Sequence, residues 1–118
     1  MKLLQNNFTT PEQSKRLLEL GVPADSCDSY YIAEDEAMPN WLPYKKSYSE
    51  WRKEAFGLSH GYTEIIPCWS VGRLREIFCI CSSVNGTREY PFYNDQVAWW
   101  ITEFEFKKEF IDFSKLED

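Results

Sequence analysis

Four cysteines and one histidine have the side chains best suited to bind a metal ion: Cys27, Cys68, Cys79, Cys81 and His60. A structural zinc ion takes four thiolate or imidazole ligands in a tetrahedron. The spacing does not suit such a site, because there is no Cys-x-x-Cys pair and Cys79 and Cys81 would point to different sides of a helix. We therefore expect no metal and no cofactor, with the cysteines buried as small apolar side chains.

His60 also lacks the neighbours that catalysis needs. A catalytic histidine usually works with a carboxylate and a nucleophile held close to its ring. Ser59 is adjacent in sequence, but adjacency does not place its hydroxyl on the ring. We expect an exposed loop histidine and assign no catalytic residue.

The stretch around Ser70 joins a predicted strand to a predicted helix. A helix N-terminus offers free backbone N–H groups, and a glycine and an arginine there suit a carboxylate or phosphate. It is not a P-loop, because it lacks the spaced glycines and the Gly-Lys-Ser/Thr ending. One interpretation is an anion site made by Trp69, Ser70, Gly72 and Arg73. The favoured one is an ordinary helix start, with Ser70 as the cap, Trp69 in the core and Gly72 letting another element pass close by.

The acidic run Glu34, Asp35 and Glu36 suggests a cation site or a partner surface. In an extended chain Glu34 and Glu36 share one face and Asp35 takes the other, which makes a poor cage for a cation without further ligands. We expect a solvated loop.

Aromatic residues are unusually frequent, with 5 Trp, 7 Tyr and 8 Phe making up 17% of the chain. A core of this size cannot hide all of them, so some rings should form a groove, a patch or a subunit contact. Trp99 and Trp100 would diverge by about 100° on a helix, so at most one faces the core fully. The other, and Trp41 in a proline-flanked loop, are candidate anchors for a partner.

Composition narrows the class of protein. The chain has 118 residues and a net charge of −6, which argues against a basic nucleic-acid-binding domain. The hydrophobic share of 43% and charged share of 27% are typical of a folded domain. Since no stretch is long enough to span a bilayer or to form a signal-peptide core, we expect one cytoplasmic domain without a nucleic-acid or membrane partner.

Local signals predict the elements that position these residues. Thr10, Pro11 and Gln13 form a capping box that starts a helix, which Gly21 ends. The other predicted elements are a strand over 29–33, a loop over 37–48, a helix capped by Ser49 and ended by Gly57, a strand over 62–66 ended by Pro67, a helix over 70–81, a hairpin over 84–93 and a helix over 95–110. Whether this last element is a helix or a strand stays open, because apolar and polar residues alternate over 103–106 as in a strand. The sum is a single α+β domain of three or four helices packed on a small, mainly antiparallel sheet.

Three segments carry a resemblance: Phe8-Thr-Thr-Pro-Glu-Gln-Ser-Lys-Arg-Leu-Leu-Glu-Leu-Gly-Val-Pro-Ala-Asp-Ser26, Pro67-Cys-Trp-Ser-Val-Gly-Arg-Leu-Arg-Glu-Ile77 and Asp112-Phe-Ser-Lys-Leu-Glu-Asp118. Together they resemble a family of short uncharacterised proteins of gut Bacteroidetes genomes and their phages or mobile elements. The resemblance implies an origin and no activity, and it carries over no catalytic residue. Residues 34–60 match no family pattern.

Two functional hypotheses follow. The first is a non-enzymatic accessory or regulatory protein of a phage or mobile element. It would bind another protein through an aromatic and acidic surface formed by Glu34, Asp35, Glu36, Trp41, Trp99 and Trp100. The second is a small ligand-binding module or enzyme that uses the junction of Trp69, Ser70 and Arg73 as an anion site. A homodimer through Trp99 or Trp100 is compatible with either hypothesis.

Overall fold

The computed structural model describes residues 7–32, 35–58, 64–82 and 96–116. The elements within these ranges are α1 Pro11–Glu19, β1 Ser29–Ile32, β2 Asp35–Trp41, α2 Tyr48–Leu58, β3 Ile65–Cys68, α3 Val71–Cys81 and α4 Gln96–Phe106. Short 3-10 turns lie at Ala24–Ser26, Lys108–Phe110 and Phe113–Leu116. The helices pack with an antiparallel sheet, which confirms the predicted α+β class.

Helix α1 begins and ends as its local signals predict. The hydroxyl of Thr10 accepts a hydrogen bond from the Gln13 backbone N–H at 3.2 Å, and the Gln13 side chain accepts one from the Thr10 N–H at 2.9 Å. Gly21 follows the helix with φ +100°, a conformation that glycine adopts without strain. The capping box and the glycine stop are therefore confirmed.

The sheet has the order β2-β1-β3, so β2 and β3 are its outer strands among the described residues. The loop predicted over 37–48 is wrong for residues 37–41, which belong to β2. Pro39 is tolerated there because β2 is an outer strand and its pairing with β1 shifts between Tyr30 and Ile32. For the same reason Pro67 lies within β3, opposite Tyr30, and does not end the strand.

Helix α2 starts two residues before the predicted first residue. Its cap is Ser47, whose hydroxyl accepts a hydrogen bond from the Glu50 N–H at 3.1 Å. Ser49, the predicted cap, lies in the first turn, and its N–H and hydroxyl donate to Asp25. The helix also continues past Gly57 to Leu58, because one glycine weakens a helix without ending it.

Helices α3 and α4 agree with their sequence patterns. Ser70 caps α3 by accepting a hydrogen bond from the Arg73 N–H at 3.1 Å. The ambiguous last element is a helix, but its predicted end at Phe110 is wrong, because it ends at Phe106, before a separate 3-10 turn. The predicted hairpin over 84–93, Asp95 and residues 62 and 63 lie outside the described residues.

The largest aromatic side chains of the core come from α3, α4 and Trp69, which precedes the cap residue of α3. Phe78 of α3 contacts Trp100 and Phe104 of α4, with ring centroids 5.4 and 5.5 Å apart. Trp69, just before α3, is completely buried. One continuous cluster therefore includes Trp69, Leu74 and Phe78, and Tyr30 and Ile32 of β1 pack against it.

Candidate functional site

The structure brings parts of two predicted sites to one groove. Trp41, at the end of β2, lines it together with Ser70, Gly72 and Arg73 from the start of α3. The groove has a volume of about 630 Å³, and its other lining residues are Cys27, Asp28, Leu42, Pro43, Tyr44, Lys45 and Glu76. We call it the β2–α3 groove.

Large side chains are exposed at the rim of this groove. Trp41 is 66% exposed and Tyr44 is 87% exposed, and Met38 lies exposed on the same strand as Trp41. The Trp41 ring also contacts the ring of Phe8 edge to face, at 5.4 Å between centroids. We call Trp41 and Tyr44 the Trp41 surface.

The floor of the groove already holds a carboxylate at the helix N-terminus. The Ser70 backbone N–H donates to Asp28 at 2.9 Å, and the Ser70 hydroxyl donates to the other oxygen of the same carboxylate. A helix N-terminus favours a negative charge, and here the chain itself supplies it. Sequence reasoning missed Asp28, because no local pattern relates it to a serine 42 positions away.

The other junction residues also have partners within the chain. The Arg73 Nε donates to the Ser26 carbonyl at 2.6 Å, and its Nη1 pairs with Glu76. Trp69 donates from its indole to the Ser26 hydroxyl at 3.0 Å. A Cβ added at Gly72 would meet only the Ser70 hydroxyl, at 4.0 Å, so the expected close passage of another element is wrong. The cap at Ser70 and the burial of Trp69 are confirmed.

A tight turn presents Lys45 at the groove rim. The Lys46 N–H donates to the Pro43 carbonyl at 3.4 Å, and Lys45 has φ +67°. The Lys45 ammonium lies 5.5 Å from the centroid of the Tyr44 ring. Lys46 pairs with Glu54, whereas Lys45 has no carboxylate partner within the part of the chain that the structure describes.

Trp99 and Trp100 differ in burial, as predicted for neighbouring residues on a helix. Trp100 is only 2% exposed and lies in the core, so its inclusion in the partner surface is wrong. Trp99 is half-buried and packs edge to face on Trp100 at 4.8 Å. Glu34 lies outside the described residues, as do the side chains of Asp35 and Glu36. The backbone of Asp35 and Glu36 belongs to β2, so the loop expected there is wrong.

The cysteines differ in exposure. Cys27, Cys68 and Cys81 are buried, as expected, whereas Cys79 is exposed. Burial raises the pKa of both Cys27 and Cys68 to about 12, which keeps these thiols protonated and unreactive at neutral pH. Within the described ranges no three His, Cys, Asp or Glu residues form a group suited to a metal ion. His60 lies outside them.

A second groove was not predicted from the sequence. It has a volume of about 600 Å³ and lies between α1, α2 and β3, with Leu18 and Ile66 among its apolar residues. Its charged residues are balanced in sign: Glu12, Lys15, Arg52 and Glu64. This mixed lining indicates no ligand class.

Comparison with known proteins returns no match, whether with family models, curated proteins or solved structures. None of the helices in the described ranges is both long enough and apolar enough to cross a membrane. The β2–α3 groove and the Trp41 surface are therefore the features of this chain that bear on its function.

Proposed function

We propose that this protein is a non-enzymatic accessory or regulatory protein that binds another protein through the Trp41 surface. One observation carries the proposal: two large aromatic rings, Trp41 and Tyr44, are mostly exposed beside the same groove. Tryptophan and tyrosine are the side chains most enriched among the residues that dominate protein–protein binding energies.

The surroundings of Trp41 suit a binding anchor. The ring sits at the end of β2, whose pairing with β1 gives its backbone a defined position. Its contact with Phe8 limits the rotamers it can adopt. A ring that is positioned in advance loses little conformational entropy on binding, so more of its burial energy is available to the complex.

The alternative, an anion site at Ser70 and Arg73, has less support. An external anion would have to displace the Asp28 carboxylate from Ser70 and compete with Ser26 and Glu76 for the Arg73 guanidinium. Each displacement breaks a charge-assisted hydrogen bond, which is stronger than a neutral one. The exposed rings have no such competitor, and for this reason we favour the protein-binding function.

The cellular setting belongs to the same proposal. We place the protein in the cytoplasm, as a product of a phage or mobile element, on the basis of its composition and the resemblance of three segments. A homodimer through Trp99 stays compatible with this function, since Trp99 is half-buried against the core.

Capture from a cell extract tests the proposal with matched exposed aromatic residues. We would immobilise the full chain and its Trp41→Ala, Tyr44→Ala and Phe106→Ala variants. Phe106 is 72% exposed on α4 and serves as the control. The expected result is a bound protein whose recovery falls at least about tenfold with Trp41→Ala and stays unchanged with Phe106→Ala. Equal recovery of the bound protein on the full chain and on all three variants would contradict the proposal.

A further inference from the structure

We infer that the partner presents a bulky apolar side chain beside a carboxylate, with the apolar group on Trp41 and Tyr44 and the carboxylate on the Lys45 ammonium. The inference rests on the proposed function and specifies the chemistry that the Trp41 surface recognises. Three observations carry it: the charges in the groove, the backbone of Lys45 and the contact between Lys45 and Tyr44.

Most charges in the β2–α3 groove are already matched within the chain. Arg73 pairs with Glu76, and Asp28 is held by Ser70 at the positive end of the α3 dipole. Among the described residues that line the groove, Lys45 is the one charged side chain that has neither an ion-pair partner nor a helix end beside it. Lys45 is therefore the cation of the groove that stays available to a partner's carboxylate, although the four charged lining residues sum to zero and the whole chain carries −6.

Lys45 occupies a backbone conformation that disfavours lysine. With φ +67° it lies in the left-handed region, which costs a residue with a Cβ roughly 1–2 kcal/mol and glycine almost nothing. This turn position therefore does not favour lysine for stability. What lysine adds here, and glycine would not, is an ammonium group at the groove rim.

The ammonium and the Tyr44 ring form one composite surface. At 5.5 Å from the ring centroid the ammonium gains a modest cation–π attraction, and its charge is not neutralised. A carboxylate can approach the ammonium from the solvent side while an apolar side chain packs on the exposed rings. The partner group must then combine both features within one or two residues.

A single free ammonium suits a carboxylate better than a phosphate. Phosphate recognition typically uses a cluster of arginines, whereas Arg73 is already bound to Ser26 and Glu76. The net charge of −6 also makes the approach of a dianion less favourable than that of a monoanion. An exposed ammonium–carboxylate pair contributes about 0.2–1 kcal/mol, so the rings supply most of the affinity and Lys45 supplies selectivity.

The test uses three otherwise identical N-acetylated, amidated hexapeptides that carry Phe-Glu, Phe-Gln or Phe-Lys at their centre. Binding to the full chain is followed by NMR on the Trp41 indole N–H, which is assigned by its loss in Trp41→Phe. We expect the Phe-Glu peptide to bind up to about fivefold more tightly than Phe-Gln, and Phe-Lys to bind weakest. Equal or tighter binding of Phe-Lys, or no binding of any peptide, would overturn the inference.

Two variants with the same change in charge show whether Lys45 is responsible. Lys45→Gly should abolish the preference for Phe-Glu, and it suits the turn because glycine adopts a positive φ without strain. Lys46→Gln should keep the preference, because Lys46 pairs with Glu54. A preference that survives Lys45→Gly overturns the inference.

The capture experiment separates this inference from the proposed function. If Trp41→Ala abolishes capture and Lys45→Gly leaves it unchanged, the protein-binding function stands and the acidic partner chemistry is wrong. If neither variant changes capture, the proposed function itself fails. If both reduce capture and Lys46→Gln does not, both proposals are supported.

Discussion

The Asp28 carboxylate caps helix α3 by accepting hydrogen bonds from both the backbone N–H and the hydroxyl of Ser70. Ser70 in turn accepts from the Arg73 N–H, so the cap has two layers. Asp25 acts similarly on α2, because its carboxylate accepts from the N–H and hydroxyl of Ser49. The short segment from Asp25 to Asp28 thus positions the N-termini of two helices, one of which forms the floor of the β2–α3 groove.

Asp28→Ala should lower the free energy of unfolding by about 1–3 kcal/mol, because it leaves the Ser70 donors without their acceptor. Asp28→Asn keeps one acceptor oxygen and should lose less. Urea denaturation of the two variants measures the difference, with the exposed Glu76→Ala as the control. A loss for Asp28→Ala no larger than that of the control would contradict this role.

Lys45→Gly should leave the free energy of unfolding unchanged or raise it by up to about 1 kcal/mol, because relief of the left-handed strain offsets the greater chain entropy of glycine. Lys46→Gly should lower it by about 0.5–1 kcal/mol, since Lys46 has no positive φ to relieve. Thermal and urea denaturation of the two variants tests the contrast. Equal destabilisation by both would count against a strained turn at Lys45.

Glu103 and Lys107 form an ion pair next to the core, with the ammonium 3.4 Å from the carboxylate and 5.7 Å from the Phe78 ring centroid. Lys107→Met should cost about 3 kcal/mol, because it removes the ammonium that pairs with the Glu103 carboxylate, whose side chain is only 6% exposed. Replacing both residues, as Glu103→Leu with Lys107→Met, should recover most of that loss. Urea denaturation of the two single variants and the double variant gives a double-mutant cycle for this ion pair. Losses in the free energy of unfolding that simply add would contradict an energetic coupling between the two side chains.

Stability should fall as the pH rises above about 9. Burial raises the pKa of Cys27 and Cys68 from 9.0 to about 12. Between these values the unfolded chain releases thiol protons that the folded chain retains, so each thiol lowers the free energy of unfolding by up to about 1.4 kcal/mol per pH unit. The contribution of each thiol is fully present below pH 9 and is lost toward pH 12.

Urea denaturation at pH 7.5, 9.0 and 10.5 measures this alkaline slope. Cys27→Ala and Cys68→Ala should each reduce it, and Cys79→Ala, at the exposed cysteine, serves as the control variant. Tyr48 adds to the slope in every variant, since burial also raises its pKa, to about 12. A slope that none of the cysteine variants changes would show that the buried thiols do not titrate in this way.

The start and stop of α1 and the start of α3 could be predicted from sequence because the groups that decide them lie within four residues of each other. Thr10 and Gln13 bond each other's backbone, Ser70 bonds the Arg73 N–H, and Gly21 supplies its own left-handed turn. Helix α4 was harder, since residues 103–106 also alternate as a strand does. Its identity as a helix is confirmed, and Trp100 and Phe104 pack on Phe78.

Strand β2 shows where local patterns fail. A proline in a strand is acceptable on an outer strand or a bulge and costly on a central one, so the meaning of Pro39 depends on which strands are neighbours. Strand order is a long-range property that the composition of residues 35–41 does not contain. Pro67 is likewise tolerated in β3 because β3 is an outer strand, which the local sequence does not reveal.

The α+β class, the caps of α1 and α3 and the choice of Trp41 as a candidate anchor could all be inferred from sequence, because they depend on nearby residues or on composition. The shared groove of Trp41 and Ser70, the contact of Asp28 with the α3 N-terminus and the burial of Trp100 became visible in the folded chain alone. The difference lies in the distance along the chain over which each interaction acts. Capping bonds form between near neighbours in the chain, whereas the groove and its charge balance arise when packing brings distant segments together.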